Sequence, residues 1–217
     1  MNSKKALAVF DLDKTLLTVN SSHLFGRYLY KCRYFSFAAM LHHLACYGLF
    51  KIGVLSLHTM QLHVFKKLFL GRSYTEINQL AEEFTKQVIA KIQYMPAVQR
   101  LRLAQEQGHH TVILSSAPDF LVAHLANYFG VDQWKSTQYA LDEEQRFATI
   151  STWMLGSDKA RCMKQISSEL GIQRECVTAY SDSIVDLAFL EAAGTAVAVN
   201  PDRHLRKYSR VRQWEII

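Results

Sequence analysis

Four cysteines in 217 residues, Cys32, Cys46, Cys162 and Cys176, form no C-x-x-C pair, so the chain offers no sign of a disulfide framework. A secretory leader is not legible either, because Lys4 and Lys5 run into only five apolar residues, Ala6 to Phe10. The expectation is a reduced, intracellular protein, cytoplasmic or peripheral to the inner face of the membrane. The nine histidines lack metal-site spacing. His42-His43 and His109-His110 are adjacent and point apart, and His58 with His63 misses the i, i+4 relation that puts two imidazoles on one helical face. They read as surface or partly buried polar residues, and zinc is not expected. The net charge of +6 favours anionic partners, yet no nucleic-acid recognition motif accompanies it. The basic tail, Arg203, Arg206, Lys207, Arg210 and Arg212, reads as a solvated surface segment. With 49% hydrophobic and 20% charged residues, the composition fits a folded domain with room for a second, smaller one.

Against these absences stands one local feature. The apolar run Ala6 to Phe10 leads directly into Asp11-Leu12-Asp13-Lys14-Thr15, two carboxylates and a hydroxyl at the end of a buried strand. Carboxylates beside an apolar strand are costly unless a cation, a hydrogen-bond network or a reaction requires them. Helical periodicity follows through His23-Leu24-Phe25, the apolar block from Phe35 to Leu57, and Ile77 to Ile92, with a turn at Gly71-Arg72-Ser73. About 75 residues is too long for a loop, so a helical subdomain over 17–95 is expected, inserted into a core formed by 1–16 and 96–217.

From Pro96 onward helices alternate with short apolar strands. A helix closes at Gly108, Thr111 to Leu114 is a strand, and Asp119 to Phe129 a helix. Tyr139–Leu141 and Phe147–Ser151 form a hairpin with a polar tip. Ser157 or Asp158 caps a helix that ends at Gly171. Cys176 to Tyr180 is a strand before Ser181-Asp182-Ser183, a further helix closes at Gly194, and Thr195 to Val199 is a last strand ending at Asn200-Pro201. This alternation predicts an α/β fold, a Rossmann-like parallel sheet with helices on both faces, whose ligands bind beyond the carboxyl ends of the strands. Asp11/Asp13/Thr15, Ser115-Ser116 and Asp182/Asp186 all fall at that edge.

Those clusters suit phosphoryl chemistry. Asp11 can attack phosphorus and form an aspartyl-phosphate, splitting a slow hydrolysis into two easier steps. Asp182 would join Asp11 on a hard divalent ion, most simply Mg2+, with the Asp13 backbone carbonyl as a further metal ligand. Asp13 would protonate the leaving alkoxide and later take a proton from water. Ser115, the amides of Ser116 and Ala117, and Lys159 would hold phosphate oxygens, and Asp186 would support the metal from behind.

The four motifs, Asp11-Leu12-Asp13-Lys14-Thr15, Ile113-Leu114-Ser115, Lys159 and Ser181-Asp182-Ser183-Ile184-Val185-Asp186, resemble in order those of the haloacid dehalogenase-like (HAD) phosphatases. The resemblance is to subfamily IB, the phosphoserine-phosphatase-like branch with a helical C1 cap after the first motif, and it spans nearly the whole chain. It implies Asp11 as nucleophile and Asp13 as acid/base. It implies Thr15, Ser115, Ser116 and Lys159 as phosphate-binding residues, Asp11, Asp13 and Asp182 as metal ligands, and Asp186 in support. Two positions depart from the pattern: Ser181 stands where Gly is usual, and Lys14 where Gly or Ser is commoner. Phosphoserine phosphatases also carry a Glu a few residues after the first motif. The stretch here is Leu17-Thr18-Val19-Asn20, which argues against phosphoserine.

The apolar block from Tyr34 to Leu57 is long enough to suggest a membrane span, but His42, His43, Lys51, Gly48 and Gly53 interrupt it. Two readings are left: cap core, which is favoured, or an amphipathic element resting on lipid with basic flanks at Lys31, Arg33, Lys66 and Lys67. The second is similar to enzymes resembling phosphatidylglycerophosphatase C, whose fourth motif also reads Tyr-Ser-Asp-Ser, as Tyr180 to Ser183 do here. The expected function is thus an Mg2+-dependent phosphomonoesterase acting on a phosphorylated metabolite or a lipid phosphate. Its rivals are a phosphotransferase or phosphomutase on the same intermediate, and a non-catalytic phosphate- or membrane-binding module.

Overall fold

The computed structural model describes residues 6–217. Seven strands run β1 (Leu7–Phe10), β2 (His110–Pro118), β3 (Gln133–Leu141), β4 (Phe147–Thr152), β5 (Val177–Ser181), β6 (Thr195–Ala198) and β7 (Glu215–Ile216), in the spatial order β4-β3-β2-β1-β5-β6-β7. Every pairing is parallel except the β3–β4 hairpin. This is the expected α/β sheet, with β1 at its centre.

Four strands near the centre show why the sequence runs apolar without alternation. Leu7 and Val9 of β1 point to one face, with Val112 and Leu114 of β2 and Val177 and Ala179 of β5. Ala8 and Phe10, with Ile113, Tyr180 and Val197, point to the other. A strand covered on both sides needs apolar residues at every position. The first face carries α7 (Gly156–Glu169), α8 (Leu187–Ala192) and α9 (Arg203–Val211), through Met163, Ile166, Phe189 and Leu205. The second carries α5 (Met95–Glu106) and α6 (Asp119–Phe129). The basic tail differs from its expected form in one respect. It folds as α9, with Leu205 and Ser209 buried and its Arg and Lys residues exposed, and then adds β7 to the sheet edge.

Between β1 and α5 the chain forms α1 (Ser21–Lys31), α2 (Phe37–Lys51), α3 (Leu57–Val64) and α4 (Tyr74–Ile92). Each begins at a polar side chain that accepts from an otherwise unpaired backbone N–H: Asn20, Ser36, Ser56 and Ser73. The two ends of the insertion meet: Tyr94 N–H donates to Leu16 O at 2.8 Å and Thr18 N–H to Ile92 O at 2.7 Å. Phe25, Phe35 and Phe84 of this insertion belong to the same buried cluster as Phe10 and Leu101. Positive φ at Arg33 (58°) and Gly53 (77°) turns the chain before and after α2, so the long apolar block is one helix with turns. Its inner face holds Ala39, Met40, His43 and Cys46, while Phe37, Leu41 and Leu44 face outward. No helix among the described residues is long and apolar enough to cross a membrane.

His43 is buried, deeper than the sequence suggests, and burial together with His23 and His42 lowers its imidazole to about 4. A group held neutral in the fold with its pKa depressed from 6.5 lends stability above pH 6.5 and loses it as the pH falls toward 4. The loss reaches roughly 3 kcal/mol at most. Thermal melts across that window should therefore fall less steeply for His43→Gln than for the unsubstituted protein; parallel curves would refute the assignment.

Candidate active site

β1 ends at Asp11, whose N–H continues the ladder by donating to Tyr180 O at 2.9 Å. Its carboxylate is buried and held on both oxygens: Lys159 Nζ donates to Oδ1 at 2.7 Å and Thr15 Oγ1 to Oδ2 at 3.2 Å. Lys159 comes from α7, far along the chain, and donates equally to Asp186 Oδ2 at 2.7 Å. Burial pushes the Asp11 carboxyl up while Lys159 pulls it down. For Lys159, burial works against the charge, but Asp11 and Asp186 outweigh it and hold the ammonium above its ordinary value. Ser181 Oγ completes the set by donating to Asp186 Oδ2 at 2.7 Å. The serine in a usual glycine position thus supplies a hydrogen bond to a buried carboxylate.

Asp13 sits where the backbone leaves β1. Ser21 N–H donates to its Oδ1 and Asn20 Nδ2 to its Oδ2, each at 2.8 Å. Burial raises its pKa to about 6 against the pull of these donors. The first turn of α1 therefore fixes the Asp13 carboxylate, a role for Asn20 that the sequence did not reveal. Lys14 adopts left-handed backbone, φ 61° and ψ 4°, which explains why glycine would be at home there.

Asp182 follows β5 and lines the same cleft as Asp11, Asp13, Ser116 and Lys159. Burial and the neighbouring Asp11 push its carboxyl up to about 8. The loop that carries it is organised by Asp202, another residue missed in the sequence. Asp202 Oδ2 accepts from Ser183 Oγ at 3.1 Å and Ile184 N–H at 2.9 Å, while Oδ1 caps α9 through His204 and Leu205 N–H. Burial would raise the Asp202 carboxyl, but these donors hold it below its ordinary value.

The start of α7 differs from expectation. The helix begins at Gly156, with Leu155 in the capping position, and Asp158 accepts from Leu155 N–H at 3.2 Å. Gly156 has no room for a side chain: a Cβ there would lie 2.2 Å from Val185 O. This contact seats the amino end of α7, and hence Lys159, against the acidic loop.

Two expected phosphate holders sit differently. Thr15 is fully buried behind Asp11 with its hydroxyl committed to that carboxylate. Ser115 is buried and its Oγ accepts from Ala117 N–H at 3.2 Å, whereas Ser116 lines the cleft. Asp11, Asp13, Asp182 and Asp186 bring four carboxylates to a cleft where Lys159 pairs two of them. Oxygen-only donors and an excess of negative charge fit a hard divalent cation. Among the described residues no group of three or more His, Cys, Asp or Glu side chains is arranged to hold a metal ion by itself.

The chain is 30% identical over 215 residues to a phosphoserine phosphatase of Mycobacterium tuberculosis, covering 97% of this chain and 70% of that one. It is 29% identical over 223 residues to a histidinol-phosphatase of Neisseria meningitidis serogroup C, covering 98% of each. Among solved structures, a Bordetella pertussis protein of unknown function superposes with a TM-score of 0.86 at 24% identity, covering 99% of this chain and 98% of the other. A phosphoserine phosphatase carrying a phospho-aspartyl intermediate analogue superposes with a TM-score of 0.70 at 16% identity, covering 98% and 92%. The haloacid dehalogenase-like hydrolase family model matches residues 8–191, a span that begins in the strand before Asp11 and runs past Asp186. The protein belongs to that family and is one of its phosphatases.

Proposed function

We propose that the protein is an Mg2+-dependent phosphomonoesterase that works through a phosphoryl group carried on Asp11. The observation that carries this reading is the pairing of Lys159 Nζ with Asp11 and Asp186 at 2.7 Å each, in a cleft shared with Asp13 and Asp182. Asp11 and Asp182, with the Asp13 carbonyl, would hold Mg2+, which when bound offsets the repulsion between carboxylates and a phosphate dianion. Asp11 attacks phosphorus as the ester oxygen departs. Asp13, with its pKa near 6, donates a proton to that oxygen and then accepts one from the water that cleaves the aspartyl-phosphate. Lys159 balances the charge on Asp11 and meets the phosphate, with Ser116 at the cleft wall and Ser115 behind it. Asp186 positions Lys159. The helices of residues 17–95 act as the cap over the leaving group and exclude water.

The class of substrate is a phosphorylated small molecule. Phosphoserine and histidinol phosphate come from the names of relatives, and both belong in the first assay. The expected result is hydrolysis of an aryl phosphate in Mg2+, loss of it in a chelator, and recovery when Mg2+ is added back. Activity that survives complete chelation would overturn the metal dependence. Adding candidate alcohols as acceptors separates water from a second hydroxyl: transferred phosphate in place of free phosphate would make the protein a phosphotransferase.

A further inference from the structure

Beside the phosphate cleft, a second chamber opens between the cap and the core. Asp13, Asn20, Tyr47, Leu57 and Ser116 line both, so the two are continuous across the acid/base residue. The chamber's walls are Phe25, Met60, Leu68, Phe69, Leu121 and Tyr139. Among the residues that line it, Asp13 is the one Asp, Glu, Lys or Arg.

Its polar wall is an imidazole pair. His23 Nδ1 lies 3.1 Å from His43 Nε2, and the His23 ring stacks on both His43 (5.1 Å, 22°) and Tyr47 (4.4 Å, 21°). His43 is 5% exposed, and its Nδ1 is buried with no partner among the described residues. Gln61 adds a second such atom: its Nε2 donates to Ser116 O at 2.7 Å, which leaves Oε1 buried and unpartnered. The His43 ring fits because α1 has glycine opposite it, since a Cβ on Gly26 would lie 3.1 Å from His43 Nε2. Burial lowers the pKa of both imidazoles from the ordinary value, which favours the uncharged rings.

We propose that this chamber receives the alcohol portion of the ester, and that the alcohol is uncharged and largely apolar, with one hydrogen-bonding group met by His43 Nδ1. The proposal rests on the phosphomonoesterase reading above. An ammonium placed there would give up its hydration and find no opposite charge except Asp13, which the chemistry needs, and a carboxylate would find none at all. Buried polar atoms without partners, by contrast, are what a ligand hydroxyl or carbonyl satisfies.

The test compares kcat/KM on the full chain in Mg2+ for benzyl, hydroxybenzyl and hexyl phosphates against O-phosphoserine and phosphoethanolamine. Benzyl and hexyl phosphates should exceed the charged esters by about tenfold or more, chiefly through KM. The wild type should favour hydroxybenzyl over benzyl phosphate, and His43→Phe should erase that preference. Met60→Glu should raise the rate with phosphoethanolamine by about tenfold. Lysophosphatidate in detergent is the lipid arm: turnover above that of hexyl phosphate assigns the alcohol to a lipid, and turnover below it assigns the alcohol to a soluble ester. Charged esters that match or beat benzyl phosphate would overturn the proposal while leaving the Asp11 chemistry standing. Should no ester turn over at all, the phosphomonoesterase reading fails, and calorimetric binding of hydroxybenzyl alcohol still decides this one: equal affinity in the wild type and His43→Phe overturns it.

Discussion

Asp11→Asn should abolish turnover, by on the order of 10⁴-fold or more, while leaving the fold intact. An amide cannot accept the phosphoryl group as a carboxylate does, yet its oxygen can still receive the Lys159 donor, and Lys159 keeps its bond to Asp186. Melting temperature should therefore move little while activity disappears. Acid-quenched wild-type enzyme should carry the mass of one phosphoryl group on the peptide containing Asp11, and the variant should carry none. Asp13→Asn should slow both steps, because that carboxylate serves each in turn. A phosphoryl group found on any other residue, or an Asp11→Asn enzyme with ordinary rates, would remove the mechanism.

Lys159→Met carries the second large effect, and it divides into stability and rate. Removing the ammonium leaves Asp11 and Asp186 buried as like charges in place of a paired triad. Breaking a buried pair on one side typically costs about 3–5 kcal/mol at neutral pH. The variant has an escape, because protonating a carboxyl relieves the repulsion. Its acidic groups then have folded-state pKa values above those of the unfolded chain, so stability is retained at low pH and lost as the pH rises through the carboxylate range. Denaturant titrations should find the variant closest to wild type near pH 5 and furthest from it near pH 8. Turnover should fall by on the order of 10²–10³-fold, the usual cost of one donor aimed at developing charge. A variant as stable as wild type at pH 8 would mean that Lys159 does not hold the two carboxylates together.

The sheet and its carboxyl edge were readable in the sequence because both follow from local pattern. Apolar runs that end in Asp11, Ser115 and Asp182 mark strands covered on both faces, and residues at their ends meet wherever the strands are parallel neighbours. Several residues that set the site in position are different in kind. Asp202 acts on Ser183 and Ile184 across a strand, and nothing in Asn200-Pro201-Asp202 distinguishes it from an ordinary helix cap. Asn20 caps α1 and steadies Asp13 with the same side chain, so only the first role has a local signature. His23 and His43 lie on separate helices, and spacing rules that look for imidazoles within one helix pass over a pair made by packing. The cap of α7 lies two to three residues before Ser157 and Asp158, at Leu155, because there the Leu155 backbone bonds to Asp158 and no polar side chain marks the capping position.

Gly156 shows how narrowly this arrangement is set. The cation and the acidic loop are carried by segments that share no strand pairing, and a missing methyl group fixes the gap between them. Any residue larger than hydrogen at position 156 would have to move a main-chain carbonyl, and the lever arm from there to Lys159 is less than one helical turn. Tolerance to substitution should thus be low even at a position with no chemistry of its own, because there the tether between two halves of the catalytic apparatus has no slack.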